Sequence, residues 1–358
     1  MSDKVRVLVV DDSALMRKLI PQILASDNEI EVVGTAMDGA FGLKKIDELK
    51  PDVVTLDLEM PRMDGMEMLR QITRRSRVPV IVVSALTTEG ASATFKALAL
   101  GAFDFVAKPR DAGTLHMELI ARDLIAKIKG AARSRPAEIP VLLESGRPAD
   151  KPSSRPRKEA TKIVAVGIST GGPNALQYLF AQLPADFPGS IVVVQHMPEG
   201  FTEMFSRRLN ECSAIDVKEA QSGDLLIAGR ALICPGNRHI KVRRRSLGDS
   251  VVLSDETHVN GHRPSADVLF RSVAAELGPG AIGVLMTGMG EDGAEGLGLI
   301  KTAGGLTIAQ NEASCVVYGM PKAAIERNYA MRVVSLDMMA NTITAQCIPE
   351  RVAQAIRA

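Results

Sequence analysis

Residues 162–183 read KIVAVGISTGGPNALQYLFAQL, and this stretch decides the fold of the C-terminal half. An unbroken apolar run, rather than an alternating one, marks a strand buried on both faces, which is the signature of a parallel sheet covered by helices. It passes at once into Gly167-Ile168-Ser169-Thr170-Gly171, a G-x-S-x-G pattern, and then into a segment with helical spacing. Small residues let the backbone turn sharply from strand to helix, so Ser169 projects from the bend and the N–H groups after it face a developing oxyanion. A glycine-rich turn with a serine helix cap satisfies the same letters. The serine therefore needs a base and an acid before it counts as a nucleophile.

Further strands follow the same rule at SIVVVQ (190–195), AIGVLM (281–286) and GLTIAQ (305–310), with a hairpin over 239–255. Five histidines compete for the role of base: His116, His196, His239, His258 and His262. His196 directly follows SIVVVQ, which places it at the carboxyl end of a strand next to that of Ser169. His258 and His262 are four apart, but Asn260 and Gly261 between them spoil a helix and with it a helical metal pair. Glu291 and Asp292 follow AIGVLM and supply the acid, which would accept the imidazole N–H and fix its tautomer. Asp292 is preferred as the shorter carboxylate, although composition alone leaves Glu291 open. The order Ser, His, Asp along the chain differs from that of α/β-hydrolases. Residues 288–293, GMGEDG, also fit the dinucleotide pattern G-x-G-x-x-G, but two carboxylates in a loop meant for pyrophosphate argue against it.

The N-terminal half alternates strand candidates at 5–10, 31–36, 52–56, 79–84 and 103–107 with amphipathic helices. Ligands of an open parallel sheet bind outside the carboxyl ends of its strands. Those ends carry Asp11 and Asp12, Asp57, Ser84 and Lys108. Three carboxylates gathered there repel one another and call for a hard divalent cation, for which Mg²⁺ is suited. Asp57 is placed to attack a phosphoryl group, with Lys108 balancing the charge and Ser84 able to hydrogen-bond the transferred group. A lone Asp after a strand is also a common helix cap, and Asp12 before Ser13 fits that reading too.

The whole chain has 358 residues, a length that suggests two domains. With 43 basic and 42 acidic residues it carries a formal charge of +1, which argues against a nucleic-acid binder driven by bulk charge. Residues 131–160 hold seven basic and four acidic side chains and five prolines, the composition of a solvated tether. Expected boundaries are thus 1–130, a linker at 131–160, and 161–358. No apolar run reaches the roughly 18 residues of a membrane span, no signal peptide opens the sequence, and four scattered cysteines suggest neither disulfides nor zinc. A cytoplasmic, not membrane-inserted, protein is expected.

The pieces VVDDSALMRKLI, LDLEMPRMDGMEML, VVSAL and FVAKP resemble the response-regulator receiver domain over most of residues 4–125. That resemblance implies a flavodoxin-like sheet, phosphorylation of Asp57 by a histidine kinase, Mg²⁺ held by Asp11, Asp12 and Asp57, and Phe105 as an aromatic switch, though Phe105 reads equally as a core aromatic. The pieces GISTGGP, VVVQHMPEGFT, ALICPGNRH, HRPSADVLF, MTGMGEDGAEG and TIAQNEASCVVYGMP resemble the catalytic domain of the chemotaxis protein-glutamate methylesterase family. This implies a triad of Ser169, His196 and Asp292, and hydrolysis of glutamate methyl esters on the cytoplasmic helices of chemoreceptors, with glutamine deamidation as a second activity. No cofactor is expected for the esterase domain. Backbone N–H groups near Thr170 and Met289 are the oxyanion candidates. The architecture further suggests a receiver that blocks the active site until Asp57 is phosphorylated. Lys241, Arg243, Arg244 and Arg245 form a basic cluster that reads as a solvated hairpin face or as a contact for acidic receptor helices. The competing class is a phosphorylation-driven binding protein without catalysis.

Overall fold

The computed structural model describes residues 4–76, 78–85, 87–108, 114–133 and 159–348. It divides into two compact units at Leu143/Glu144. Of the expected linker, residues 134–158 lie outside the described residues, and residues 131–133 close the last helix of the first unit.

The first unit contains β1 (Val5–Val10), β2 (Ile30–Ala36), β3 (Val53–Asp57), β4 (Val80–Ser84) and β5 (Asp104–Ala107). They form one sheet, parallel throughout, in the order β2-β1-β3-β4-β5. Strands β3 and β4 are buried along their whole length, as continuous apolar runs require. On one face Val7, Val9, Val53, Ile81 and Val83 pack against Ile20, Leu24, Leu124 and Ile128 of helices Met16–Leu24 and Thr114–Arg133. Helices Gly39–Leu49, Gly65–Arg75 and Thr88–Ala99 are started by Asp38, Asp64 and Thr87, whose side chains accept from the N–H groups of Phe41, Glu67 and Gly90. The strand order reverses between β1 and β3, so the ends carrying Asp11 and Asp57 flank the crevice.

The second unit is built on β6 (Ile163–Ile168), β7 (Ser190–Gln195), β8 (Asp216–Glu219), β9 (Arg230–Ile233), β10 (His239–Arg243), β11 (Ser250–Ser254), β12 (Ala281–Leu285), β13 (Leu306–Gln310) and β14 (Arg332–Val334). Seven of these make a parallel sheet in the order β14-β13-β12-β6-β7-β9-β8. The hairpin β10-β11 is a separate two-stranded sheet. It packs on helix Ala266–Leu277, where Ser272 Oγ accepts from Val242 N–H at 2.9 Å. The sequence reading identified β6, β7, β12 and β13 but not β8, β9 and β14, which are only three or four residues long. β8 and β14 are edge strands with charged or exposed residues, so they lack the unbroken apolar run on which that reading relied. Order reverses in this sheet between β6 and β12.

Candidate active site and acidic cluster

The reversal point of the larger sheet gathers three loops. Ile168 and Gln195 are register partners on β6 and β7, and His196 N–H donates to Ile168 O at 3.1 Å. Ser169 N–H donates to Thr287 O, just beyond β12, at 3.0 Å. Gln195 Nε2 clamps the first two loops by donating to Ser169 O and His196 O at 3.0 and 3.1 Å. The chain then turns at Gly171, whose φ of +76° suits a residue without a Cβ; an added Cβ would also meet Val316 at 2.5 Å. On the other side a Cβ at Gly288 would meet Ser169 Cβ at 2.8 Å, so the loop after β12 lies directly beside the serine.

His196 Nε2 lies 2.8 Å from Asp292 Oδ2. Asp292 is buried and also accepts from Ser265 Oγ (2.6 Å), Ala266 N–H (2.6 Å) and Asn260 Nδ2 (2.9 Å). Burial works against its charge, yet hydrogen bonds and the nearby imidazole outweigh burial and hold the carboxyl well below its ordinary range. An ionised carboxylate only accepts, so in the neutral ring Nε2 carries the proton and Nδ1 keeps its lone pair. Nδ1 is buried and has no hydrogen-bond partner among the described residues. The ring is therefore turned opposite to the common serine-protease arrangement, in which Nδ1 faces the acid.

Glu291, the alternative acid, turns away to Arg327. Among the described residues neither Thr170 N–H nor Met289 N–H donates a hydrogen bond, and these peptides flank Ser169 on the β6 and β12 sides. The sequence alone offers no role for Asn260 or Ser265, and it weighs His262 only as a base and as a metal partner of His258. The ring of His262 stacks on that of His196, centroids 3.8 Å apart and planes 9° from parallel. The signal was Asn260-Gly261, dismissed as a helix breaker although Asn-Gly is a hairpin signal. In the basic cluster, Lys241, Arg243 and Arg244 pair with Glu256, Glu276 and Asp249, as a solvated face does.

In the first unit Asp11, Asp12 and Asp57 offer carboxylate oxygens that all lie within 4.8 Å of one another. Asp11 and Asp57 are buried and Asp12 is exposed. Asp12 does not cap the following helix: Asp11 Oδ1 accepts from Ser13 N–H, and Ser13 Oγ from Met16 N–H. Lys108 Nζ reaches Asp57 Oδ2 at 2.6 Å and Asp11 Oδ2 at 3.4 Å. Burial pushes the Asp57 carboxyl up to about 6 against the pull of Lys108. Burial likewise raises Asp11, whose Oδ2 has no hydrogen bond among the described residues. Three crowded hard-oxygen donors, one of them a buried oxygen met only by the Lys108 ammonium at 3.4 Å among the described residues, fit a divalent cation. Ser84 Oγ donates to Gly90 O at 3.1 Å. Phe105 is buried edge-on to Phe95 at 6.2 Å, with Lys127 Nζ 5.3 Å above its ring.

The comparisons agree on both units. The family model for the response regulator receiver domain matches residues 7–120, and that for CheB methylesterase matches residues 164–343. A protein-glutamate methylesterase/protein-glutamine glutaminase from Koribacter versatilis is 65% identical, the match covering 97% of this chain and 98% of the relative. A protein of the same name from Pyrococcus horikoshii is 45% identical over 96% of this chain and 94% of its own length. Among solved structures, the CheB methylesterase catalytic domain of Thermotoga maritima aligns at a TM-score of 0.51 and 38% identity, covering 51% of this chain and 97% of that domain. The chain therefore belongs to the CheB methylesterase family, whose matched members are named protein-glutamate methylesterase/protein-glutamine glutaminase, with a receiver domain ahead of the methylesterase domain.

Proposed function

We propose that the protein hydrolyses glutamate methyl esters on the helical cytoplasmic region of chemoreceptors through Ser169, His196 and Asp292, and deamidates receptor glutamines by the same route. The observation that carries this reading is the His196–Asp292 contact of 2.8 Å beside the Ser169 turn, with the other ring nitrogen left as a lone pair. Ser169 Oγ attacks the ester carbonyl as His196 Nδ1 takes its proton, help worth about 10²–10⁴ in rate. The carbonyl electrons move onto oxygen, and the N–H groups of Thr170 and Met289 donate hydrogen bonds to the resulting oxyanion, each worth roughly 2.7–4 kcal/mol. The tetrahedral species collapses, the C–O bond to the methoxy group breaks, and His196 returns the proton so that methanol leaves. Water then attacks the acyl-Ser169 ester by the same proton path and frees the glutamate carboxylate. With glutamine the leaving group is ammonia.

In the receiver, Asp57 accepts a phosphoryl group from a histidine kinase. Mg²⁺, held by Asp11, Asp12 and Asp57, would supply positive charge beside the phosphoryl oxygens. Lys108 offsets the charge on Asp57 from the other side, and Ser84 is placed at a neighbouring strand end to meet the transferred group. Unphosphorylated receiver blocks the esterase site, and phosphorylation releases it. The test is methanol release from methylated receptor with and without a small phosphodonor. Equal rates in the two arms would reject the regulatory half of the reading, and no methanol in either would reject the catalytic half.

A further inference from the structure

Val259 and His262 exchange both backbone hydrogen bonds, at 3.0 and 2.9 Å, around Asn260 (φ +55°) and Gly261 (φ +79°). Two consecutive positive φ values make this a type I′ turn, for which Asn-Gly is the favoured pair. The turn delivers two side chains to one place. Asn260 Nδ2 donates to Asp292 Oδ1 and to Asp267 Oδ2, and the His262 ring lies flat on His196. Three residues later Ser265 adds its hydroxyl to Asp292. The segment 260–265 thus holds both members of the His–Asp pair.

We propose that His262 is a positioning residue whose ring fixes the plane of His196. The inference rests on the triad reading above. With Cβ attached to the backbone and Nε2 tied to Asp292, one motion of the His196 ring remains, a tilt about the line joining those two atoms. That tilt swings Nδ1 out of its present plane and breaks no hydrogen bond, since Nδ1 has none among the described residues. A flat ring in van der Waals contact, centroids 3.8 Å apart and 9° from parallel, blocks it from one face. The short two-residue turn and the Asn260 anchor keep His262 there. The flat face of the ring is what this role requires.

The experiment measures covalent labelling of Ser169 by a fluorophosphonate in the full-length chain, separating the maximal labelling rate from the half-saturating concentration. His262→Ala and His262→Leu should slow the maximal rate about 10- to 100-fold, the usual effect of a misaligned reacting group, with half-saturation unchanged. His262→Phe should restore most of the rate, because it returns a flat ring. Leu fills similar space without one, so the Phe–Leu contrast separates plane-holding from simple packing even where the Ala variant does not fold. Leu labelling as fast as wild type, or Phe as slow as Leu, would overturn the proposal. Ser169→Ala is the control: label retained there overturns the triad itself and this inference with it, whereas label lost there but indifferent to residue 262 overturns this inference alone.

Discussion

His196 Nε2 lies 2.8 Å from Asp292 Oδ2, and that contact decides which nitrogen of the neutral ring keeps its lone pair. Asp292→Asn replaces an acceptor with a group that can donate. The amide then favours the tautomer with its proton on Nδ1, which removes the lone pair that the serine needs. The expected loss is about 10⁴ in kcat, the scale seen when a triad acid is made neutral. Methanol release by the purified variant, alongside its circular dichroism, checks this: a fold intact with a rate near wild type would be inconsistent with it.

Asn260 and Ser265 hold the Asp292 carboxylate from its other side. Hydrogen bonds to a charged group contribute about 1.5–3 kcal/mol each, so Asn260→Ala and Ser265→Ala should each lower stability by that order at pH 7. The sign with pH follows from the depressed carboxyl. Its stabilisation is complete above the unfolded value of about 3.9 and is lost as pH falls through the lower folded value. The difference between variant and wild type should therefore shrink as denaturation is followed from pH 7 down below pH 4. A gap that widens in acid would contradict the assignment.

Asp57 behaves in the opposite sense. Burial raises its carboxyl to about 6, so the folded receiver binds this proton more tightly than the unfolded chain does. Stability from this group is complete below the ordinary value of 3.8 and falls as pH rises through about 6. Without divalent cation, Asp57→Asn should stabilise the receiver at pH 7.5 by about 1–3 kcal/mol. The gain should vanish near pH 4, and added Mg²⁺ should stabilise wild type more than the variant. Thermal melts in chelator and in Mg²⁺ across this range measure all three.

Coupling between the two units should be worth about 1–3 kcal/mol, or roughly 5–150-fold in activity. Acetyl phosphate with Mg²⁺ should raise methanol release by wild type and leave Asp57→Ala unchanged. Chelation should remove the activation and spare the basal rate. A fragment beginning near residue 160 should outpace the unphosphorylated full chain.

The parts of the fold legible in the sequence were those governed by continuous apolar runs. β3, β4, β6 and β7 are buried throughout, and a run such as IVVVQ has few other places to go. β8 (DVKE) and β14 (RVV) are held by pairing at an edge, and their own side chains carry little sign of it. Strand-end logic likewise pointed to Asp11, Asp57, Ser169, His196 and Asp292 because the chemistry of a parallel sheet collects at its carboxyl ends. It could not point to Asn260, His262 or Ser265, which come from the 258–265 loop rather than a strand end and reach the site only through a turn. Its preference for Asp292 over Glu291 rested on side-chain length alone, whereas the outcome depends on the direction in which each side chain leaves one short loop.

The central claim is that the receptor glutamyl group passes through an ester on Ser169. Rapid acid quenching of the full chain during turnover of a methylated receptor peptide, followed by mass spectrometry, tests it. The expected result is a glutamyl adduct on the tryptic fragment containing Ser169, absent from Ser169→Ala, which releases no methanol. Methanol released at the wild-type rate by Ser169→Ala, or an adduct found only on another residue, would contradict the account.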